Sequence, residues 1–341
     1  MTLSTSHQGR DTVFKILFQA CATLFIMAFT LQSTRSLNDG RTIPALGFGV
    51  YQVEPGDKAV QAILWALEAG YRNIDTAACY ANEESVGEAI RKRLVSSHFR
   101  ASENYVMSSS LQSPPSPPPL AQYMNYGIFH SGIPREEIWV TTKLWDDSHG
   151  YTNAISAFEF SLEKLGLDYV DLYLIHSPYP GKKLRTESWK GLEELHRKGL
   201  VKSIGVSNYG IHHLKELLSI CTIKPVVNQI EVTPYLTRED LVAFCNGQNI
   251  RVEAYSPLTM GQKLKDPTLV SIARKHGKQP AQILIRWSLQ RGFIPLPKSV
   301  HKERIIANAD VFGWEISAED MDALTGLNED FVTEWDPTTC S

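Results

Sequence analysis

The stretch Val170-Asp171-Leu172-Tyr173-Leu174-Ile175-His176 is a near-continuous apolar run that ends in a histidine. A strand with one wet face alternates apolar and polar residues. A run apolar at both parities instead predicts a strand covered on both faces, as parallel strands of α/β proteins are. Before it, Ile155, Phe158, Leu162 and Leu165 recur at helical spacing. After it, residues 187–198 read as a helix and 201–206 as the next strand. The rhythm around His176 is therefore helix, buried strand, helix, strand.

The same alternation extends in both directions. Upstream, 57–69 carries Ala59, Ala62, Ile63, Ala66 and Leu67 on one helical face, 71–76 reads as a short strand, 83–93 as a helix and 138–142 as a strand. Downstream come a helix at 211–220, a strand at 226–229, a helix at 238–246, a strand at 250–254, helices at 268–276 and 281–290, and a last strand at 293–296. Leu37-Asn38-Asp39-Gly40 carries a hairpin turn signal ahead of them. About eight strand–helix units predict an α/β fold, a (β/α)8 TIM barrel. No Gly-x-Gly-x-x-Gly follows a strand, which argues against a Rossmann-type dinucleotide site.

Two segments stand outside this rhythm. Residues 1–36 form an N-terminal extension whose stretch 13–29 is mostly apolar but interrupted by Lys15 and Gln19. It is short for a spanning helix, and no small-x-small cleavage site follows it, so a membrane anchor is the alternative and not the main expectation. Within the barrel region 37–341, residues 94–132 hold Ser108-Ser109-Ser110 and Pro114, Pro115, Pro117, Pro118 and Pro119. Such a composition predicts a disordered insertion, placed between a helix and a strand and hence on the N-terminal face of a barrel.

Of the 341 residues 43% are hydrophobic and 21% charged, and the formal net charge is −3, so the chain has the profile of a globular protein. Without a Lys/Arg run there is no electrostatic footprint for a nucleic acid. The cysteines (Cys21, Cys79, Cys221, Cys245, Cys340) are odd in number and lack metal-type spacing, which fits a reducing, cytoplasmic setting and no bound metal.

Polar residues follow the apolar runs at one end of successive strands: Asp75 and Tyr80 after 71–74, Lys143 after 140–142, His176, Ser207-Asn208, Gln229, and Tyr255-Ser256. In a barrel these ends converge on one mouth. A carbonyl that receives a hydride develops negative charge on oxygen and takes up a proton. A tyrosine can donate that proton, and a nearby ammonium is expected to lower its pKa toward the working range. A carboxylate can hold the lysine, and a neutral histidine can fix the substrate oxygen. Taken singly, each residue is more often structural, and Lys143 also leaves open Schiff-base chemistry of the aldolase kind.

At these residues the sequence resembles the aldo-keto reductases. The likeness runs from Leu37 to Pro337 apart from the insertion. It is carried by Gly47-Phe48-Gly49-Val50-Tyr51, Gly70-Tyr71-Arg72-Asn73-Ile74-Asp75-Thr76-Ala77, Tyr80 with Asn82-Glu83, Thr142-Lys143-Leu144-Trp145, Leu174-Ile175-His176, Gly205-Val206-Ser207-Asn208 and Pro297-Lys298-Ser299-Val300.

The resemblance implies a catalytic tetrad of Asp75, Tyr80, Lys143 and His176, a monomer, and NADPH as cofactor. It assigns Ser207, Asn208 and Gln229 to the nicotinamide carboxamide, Tyr255 to the nicotinamide ring, Ser256 and Leu258 to the pyrophosphate, Lys298, Ser299 and Arg304 to the 2′-phosphate, and Asn308 to the adenine. Tyr51, Trp145 and His176 are expected to face a small carbonyl substrate. The chain departs from the family's commonest pattern at His301, at Ala307 and at Ser177, where some members have Trp and where a wider pocket is expected. The segment 328–341, with Phe331 and Trp335, is expected to fold over the opening. Relatives of fungal type include general carbonyl reductases and tailoring enzymes of secondary-metabolite pathways. Others are non-catalytic channel-associated or lens proteins.

Overall fold

The run at 170–175 is a strand with all of its residues buried. In the computed structural model, which describes residues 29–94 and 132–341, it lies in the middle of an eight-stranded parallel sheet. Leu31–Ser341 forms one compact unit, and all the sheets and helices of the described residues belong to it. The chain opens with an antiparallel hairpin, β1 (Thr34–Ser36) and β2 (Thr42–Pro44), turning through the Asn-Asp-Gly signal. Strands and helices then alternate: β3 (Phe48–Gly49), α1 (Asp57–Ala69), β4 (Asn73–Asp75), α2 (Glu83–Arg93), β5 (Trp139–Leu144), α3 (Tyr151–Leu165), β6 (Val170–Ile175), α4 (Lys182–Arg197), β7 (Val201–Ser207), α5 (Ile211–Leu218), β8 (Val227–Glu231), α6 (Glu239–Gly247), β9 (Arg251–Tyr255), α7 (Pro267–Lys275), α8 (Pro280–Gln290) and β10 (Ile294–Pro295). Two further helices, α9 (Lys302–Ala309) and α10 (Ala318–Thr325), complete the unit.

Strands β3 to β10 pair in sequence order, every pair parallel. The two edge strands then meet. Gly47 N donates to Pro295 O (3.0 Å) and Gly49 N donates to Pro297 O (3.1 Å), which closes the sheet into a barrel. Glycine suits the seam because buried side chains crowd it: a Cβ at Gly47 would lie 2.4 Å from Leu296 Cδ2 and 2.8 Å from Asn73 Nδ2. The (β/α)8 architecture expected from the sequence is thus the one observed. The strands at the seam are the shortest, two residues each, and β3 carries too little apolar pattern to be read as a strand on its own.

The hairpin closes the N-terminal mouth. Leu37 and Ile43 pack with Trp139, Leu172, Leu174, Val226, Val227 and Ile294 in one buried cluster, each large side chain worth about 1.5–3 kcal/mol of transfer free energy. On the outer face of β6, Tyr173 packs edge-on against Phe158 of α3 (centroids 4.9 Å). The helical period and the strand run of the sequence therefore meet in one interface.

Leu94, the first residue of the expected insertion, and Ile133, just past its end, form a parallel bridge, and Ile133 N donates to Arg93 O (2.7 Å). They lie at the N-terminal end of β5, away from the strand ends that carry the polar residues. Residues 95–131 lie outside the described residues, as does the apolar segment 13–29 except for Phe29. Among the described residues no helix is long and apolar enough to cross a membrane.

A Cβ at the seam must displace buried side chains, and overpacking of this kind costs about 1–3 kcal/mol. Gly47→Ala is therefore expected to lower the thermal midpoint and the urea midpoint, with an unchanged m value. An equally stable variant would show that the seam tolerates a wider spacing.

Candidate active site

All eight barrel strands place a polar or aromatic side chain within, at or just past their C-terminal halves: Tyr51, Asp75, Lys143, His176, Ser207, Gln229 and Tyr255 for β3 to β9 in turn, and Lys298 after β10. They surround a cavity of about 1100 Å³. It is lined by every residue given a catalytic, cofactor or substrate role from the sequence except Lys143: Tyr51, Asp75, Tyr80, Trp145, His176, Ser207, Asn208, Gln229, Tyr255, Ser256, Leu258, Lys298, Ser299, Arg304 and Asn308. Lys143 lies beneath, with no exposed surface.

The Lys143 ammonium donates to Asp75 Oδ1 (2.7 Å), to the Thr76 carbonyl (2.9 Å) and to the Tyr80 hydroxyl oxygen (3.3 Å). Three acceptors for three N–H groups saturate it. A fully buried, saturated amine is a poor nucleophile, so the geometry weighs against a Schiff base at Lys143. The second oxygen of Asp75 accepts from Gln229 Nε2 (2.8 Å), whose other hydrogen goes to Glu253 Oε2 (3.0 Å). Two carboxylates on one side of the amide fix its orientation, because only the NH2 group can donate to both. The Gln229 carbonyl oxygen is thereby turned away from them.

Glu253 sits two residues before Tyr255 on β9, on the same face of the strand by the period of two. It is fully buried. Burial first, then the Asp75 carboxylate, push its carboxyl up to about 7. The sequence reading passed over it, and the strand parity was the signal available.

Burial first, then the Asp75 carboxylate, hold the Tyr80 phenol well above the ordinary range. The lowering expected from the neighbouring ammonium does not occur. The Lys143 charge is already matched by Asp75 at 2.7 Å, and desolvation of the phenolate decides the sign. Tyr80 is thus firmly protonated at neutral pH.

His176 stands edge-on to Tyr80 (centroids 5.7 Å) and to Trp145 (5.0 Å). Burial first, then the Lys143 ammonium, hold its imidazole well below the ordinary range, so the ring is neutral. Its Nδ1 lies 3.6 Å from the Cys79 thiol, a group that burial pushes up to about 11 and so keeps protonated. A protonated thiol can donate to Nδ1, and that arrangement leaves the ring proton on Nε2.

Asn208 is in the left-handed region, at φ 62°. Its side chain secures that conformation, donating to His176 O (3.0 Å) and Ser207 Oγ (3.2 Å) and accepting from the Tyr255 hydroxyl (2.9 Å). Tyr255 is thereby fixed at the cavity wall. Ser207 Oγ donates to Gln229 O (2.8 Å). Past β10, Lys298, Ser299, Arg304 and Asn308 gather where α9 begins. Ser299 Oγ accepts from His301 N (3.1 Å). Burial first, then Lys58, lower the Lys298 ammonium.

The C-terminal segment closes the mouth from above. Trp335 stacks on Tyr179 (5.7 Å) and faces Trp145 (6.2 Å) and His176 (6.4 Å). The segment is tied down by Thr333 on Glu231 (Oγ1 to Oε1, 2.5 Å), by Arg238 on Asp336 (3.1 Å) and by Gln52 Nε2 on Glu334 (3.0 Å). Phe331, expected beside Trp335, instead packs under Lys263 (4.3 Å), away from the cavity lining. Ser177, where a wider pocket is expected, is not among the residues lining the cavity. It is fully buried and donates to Asp146 Oδ1 (2.6 Å). Cys79, Gln52, Met260, Gln279 and Glu334 line the cavity without having been flagged by any motif.

Residues 45–329 match the model of the aldo/keto reductase family. The chain belongs to that family. It is 43% identical over 304 residues to the glyoxal reductase of Bacillus subtilis (strain 168), covering 89% of this chain and 96% of the relative. It is 41% identical over 305 residues to the 9,11-endoperoxide prostaglandin H2 reductase of Trypanosoma cruzi (strain CL Brener), covering 89% and 94%. Among solved structures, an aldo/keto reductase from Brucella melitensis superposes with a TM-score of 0.73 at 42% identity, covering 87% of this chain and 99% of that one. A Bombyx mori aldo-keto reductase in complex with NADP gives a TM-score of 0.72 at 37% identity, covering 89% and 95%. The family's barrel is thus the one whose strand ends carry this constellation.

The Glu253 carboxyl has an ordinary value of 4.5 and stands at about 7 when folded. The folded chain then binds the proton more tightly than the unfolded one, so stability falls as pH rises through this window and is unaffected by Glu253 below it. Glu253→Gln keeps a hydrogen-bonding side chain but cannot ionise. Its stability relative to wild type is expected to rise between about pH 5 and about pH 8 in urea titrations. A difference independent of pH would show that Glu253 stays in one protonation state throughout.

Proposed function

We propose that the protein is an NADPH-dependent carbonyl reductase of small aldehydes and ketones. The observation that carries this reading is a protonated phenol, Tyr80, held at a cavity wall by a buried ammonium and flanked by a neutral imidazole. A reaction that builds negative charge on an oxygen needs such a set. The NADP complex of the Bombyx mori relative and the glyoxal reductase activity named for the Bacillus relative support it.

The residues fit the cofactor. Lys298 and Arg304 offer two cations beside Ser299 and the first turn of α9, a setting suited to a phosphate. The Gln229 side-chain oxygen Oε1, turned away from the carboxylate clamp, suits the NH2 of a carboxamide. Tyr255, fixed by Asn208, presents an aromatic face for a flat ring, and Ser256 and Leu258 continue the wall. Asn308 lies at the same end as Arg304, one helical turn on. When bound, NADPH would supply the hydride to the carbonyl carbon.

The chain's own residues do the rest. His176 Nε2–H and the Tyr80 hydroxyl converge on the carbonyl oxygen and orient it. As negative charge develops there, Tyr80 passes its proton to that oxygen. The phenolate left behind is stabilised by Lys143, whose charge Asp75 holds in place. The high resting pKa of Tyr80 keeps the proton in place until the oxygen has become basic enough to take it. Tyr51, Trp145 and Trp335 exclude water with aromatic walls, which strengthens each of these interactions.

General acid catalysis contributes about 10²–10⁴-fold. Tyr80→Phe is expected to lose that much in kcat with an unchanged circular dichroism spectrum, measured as NADPH oxidation with methylglyoxal. Full activity in this variant would refute the mechanism. A charge-assisted hydrogen bond is worth about 1.5–3 kcal/mol, so Lys298→Ala combined with Arg304→Ala should raise KM for NADPH at least about tenfold and leave KM for NADH nearly unchanged. Equal effects on both cofactors would remove the 2′-phosphate from this end of the cavity.

A further inference from the structure

The charged groups of the cavity are unevenly placed. Apart from histidines, four charged side chains line it among the described residues: Asp75, Lys298, Arg304 and Glu334. Asp75 is matched by Lys143 at 2.7 Å. Lys298 and Arg304 belong to the end beyond β10, where the charged neighbour of Lys298 is Lys58. Neither cation figures among the groups acting on Tyr80 or His176. That leaves Glu334.

Glu334 adjoins the reacting groups through short links. It accepts from Gln52 Nε2 (3.0 Å), and its carboxylate faces the Tyr51 phenol. Tyr51 in turn lies against Tyr80 (centroids 4.9 Å). The next residue, Trp335, faces His176. The groups that hydrogen-bond to Glu334, the Gln52 amide and the Tyr51 phenol, are neutral, and it forms no ion pair among the described residues. Among the described residues that line the mouth over Tyr80 and His176, one negative charge therefore stands without an ion-pair partner between aromatic walls, and no cation accompanies it.

We infer that this mouth selects uncharged carbonyl compounds and discriminates against anionic ones such as 2-keto acids, with Glu334 as the residue that sets the discrimination. The inference rests on the carbonyl-reductase reading and narrows it. Recognition of a substrate carboxylate normally uses an Arg or Lys able to replace its lost water. Here the available side chain is of the same sign, so a 2-keto acid is desolvated without a partner and repelled as well. Because Glu334 is exposed, solvent screens the repulsion and the effect is moderate.

The test compares methyl benzoylformate with benzoylformate, which share the phenyl ring and the reacting ketone and differ in charge beside it. The ratio of their kcat/KM values with NADPH is measured at low salt for wild type, Glu334→Gln and Glu334→Lys. The intrinsic reactivity difference is common to all three and cancels. The preference for the ester is expected to fall about threefold in Glu334→Gln and about tenfold in Glu334→Lys, and the spread should shrink in about 0.5 M salt. Gln52→Leu breaks the same clamp but leaves the carboxylate, and should keep the ratio within about twofold of wild type. A ratio equal across the Glu334 series, or a Gln52→Leu shift as large as that of Glu334→Gln, overturns the inference. A wild type that oxidises NADPH with neither compound nor with methylglyoxal brings down the reductase reading itself, and the absence of all turnover distinguishes that result.

Discussion

The Lys143 ammonium has no exposed surface, and the arrangement of the site follows from the cost of burying that charge. Removing one partner from a buried ion pair costs about 3–5 kcal/mol, because the remaining charge has no water to turn to. The barrel answers with Asp75 from β4 and the Thr76 carbonyl, then with Gln229 from β8 on the second Asp75 oxygen, and Glu253 from β9 behind the amide. Four strands are thereby linked by charge-assisted bonds across the interior. The same chain of bonds that makes the lysine tolerable aims its third N–H at Tyr80. Stability and chemistry share these contacts, and neither can be altered alone.

Barrel closure sets where this network can exist. The strands β4, β5, β8 and β9 are not all neighbours in the sheet; they face one another only because the seam at Gly47 and Gly49 brings the edges together. Alternation along each strand then does the sorting. Asp75, Lys143 and Gln229 point inward at the C-terminal end, while Leu172 and Leu174 of β6 join the cluster closed by the hairpin. Polar and apolar layers thus stack along the barrel axis, with the charged layer next to the open mouth.

Much of this was legible in the residues. The run ending in His176 gave a strand buried on both faces. The recurrence of polar residues after such runs placed Asp75, Lys143, Ser207, Gln229 and Tyr255 on one mouth, where the structure also has them. Less legible was whatever depends on a partner distant in sequence. The phenol of Tyr80 is expected from the sequence to be lowered by Lys143, and it is raised, because the spacing of residues does not say how dry the phenol is. Phe331 and Trp335 are both aromatic residues on one terminal segment, yet Trp335 reaches the cavity and Phe331 lies under Lys263. Loop conformation separates them, and loop conformation has no periodicity to read. Nor does the sequence show that the Ser177 hydroxyl is held by Asp146, a partner on another loop.

The contrast between strand-borne and loop-borne groups explains why reaction type is more firmly written in this chain than substrate. Asp75, Lys143, Gln229 and Glu253 project from strands, His176 immediately follows β6, and the first four lock one another. A substitution at any of them disturbs buried charge. Tyr51, Gln52, Glu334 and Trp335 come from loops, held by contacts such as the Gln52–Glu334 hydrogen bond that can be exchanged at small cost, since both partners reach water. Selection can vary the second group freely while the first stays fixed. A barrel that keeps its proton donor in a dry interior and its recognition at a wet rim can change the carbonyl it accepts without rebuilding the group that protonates it.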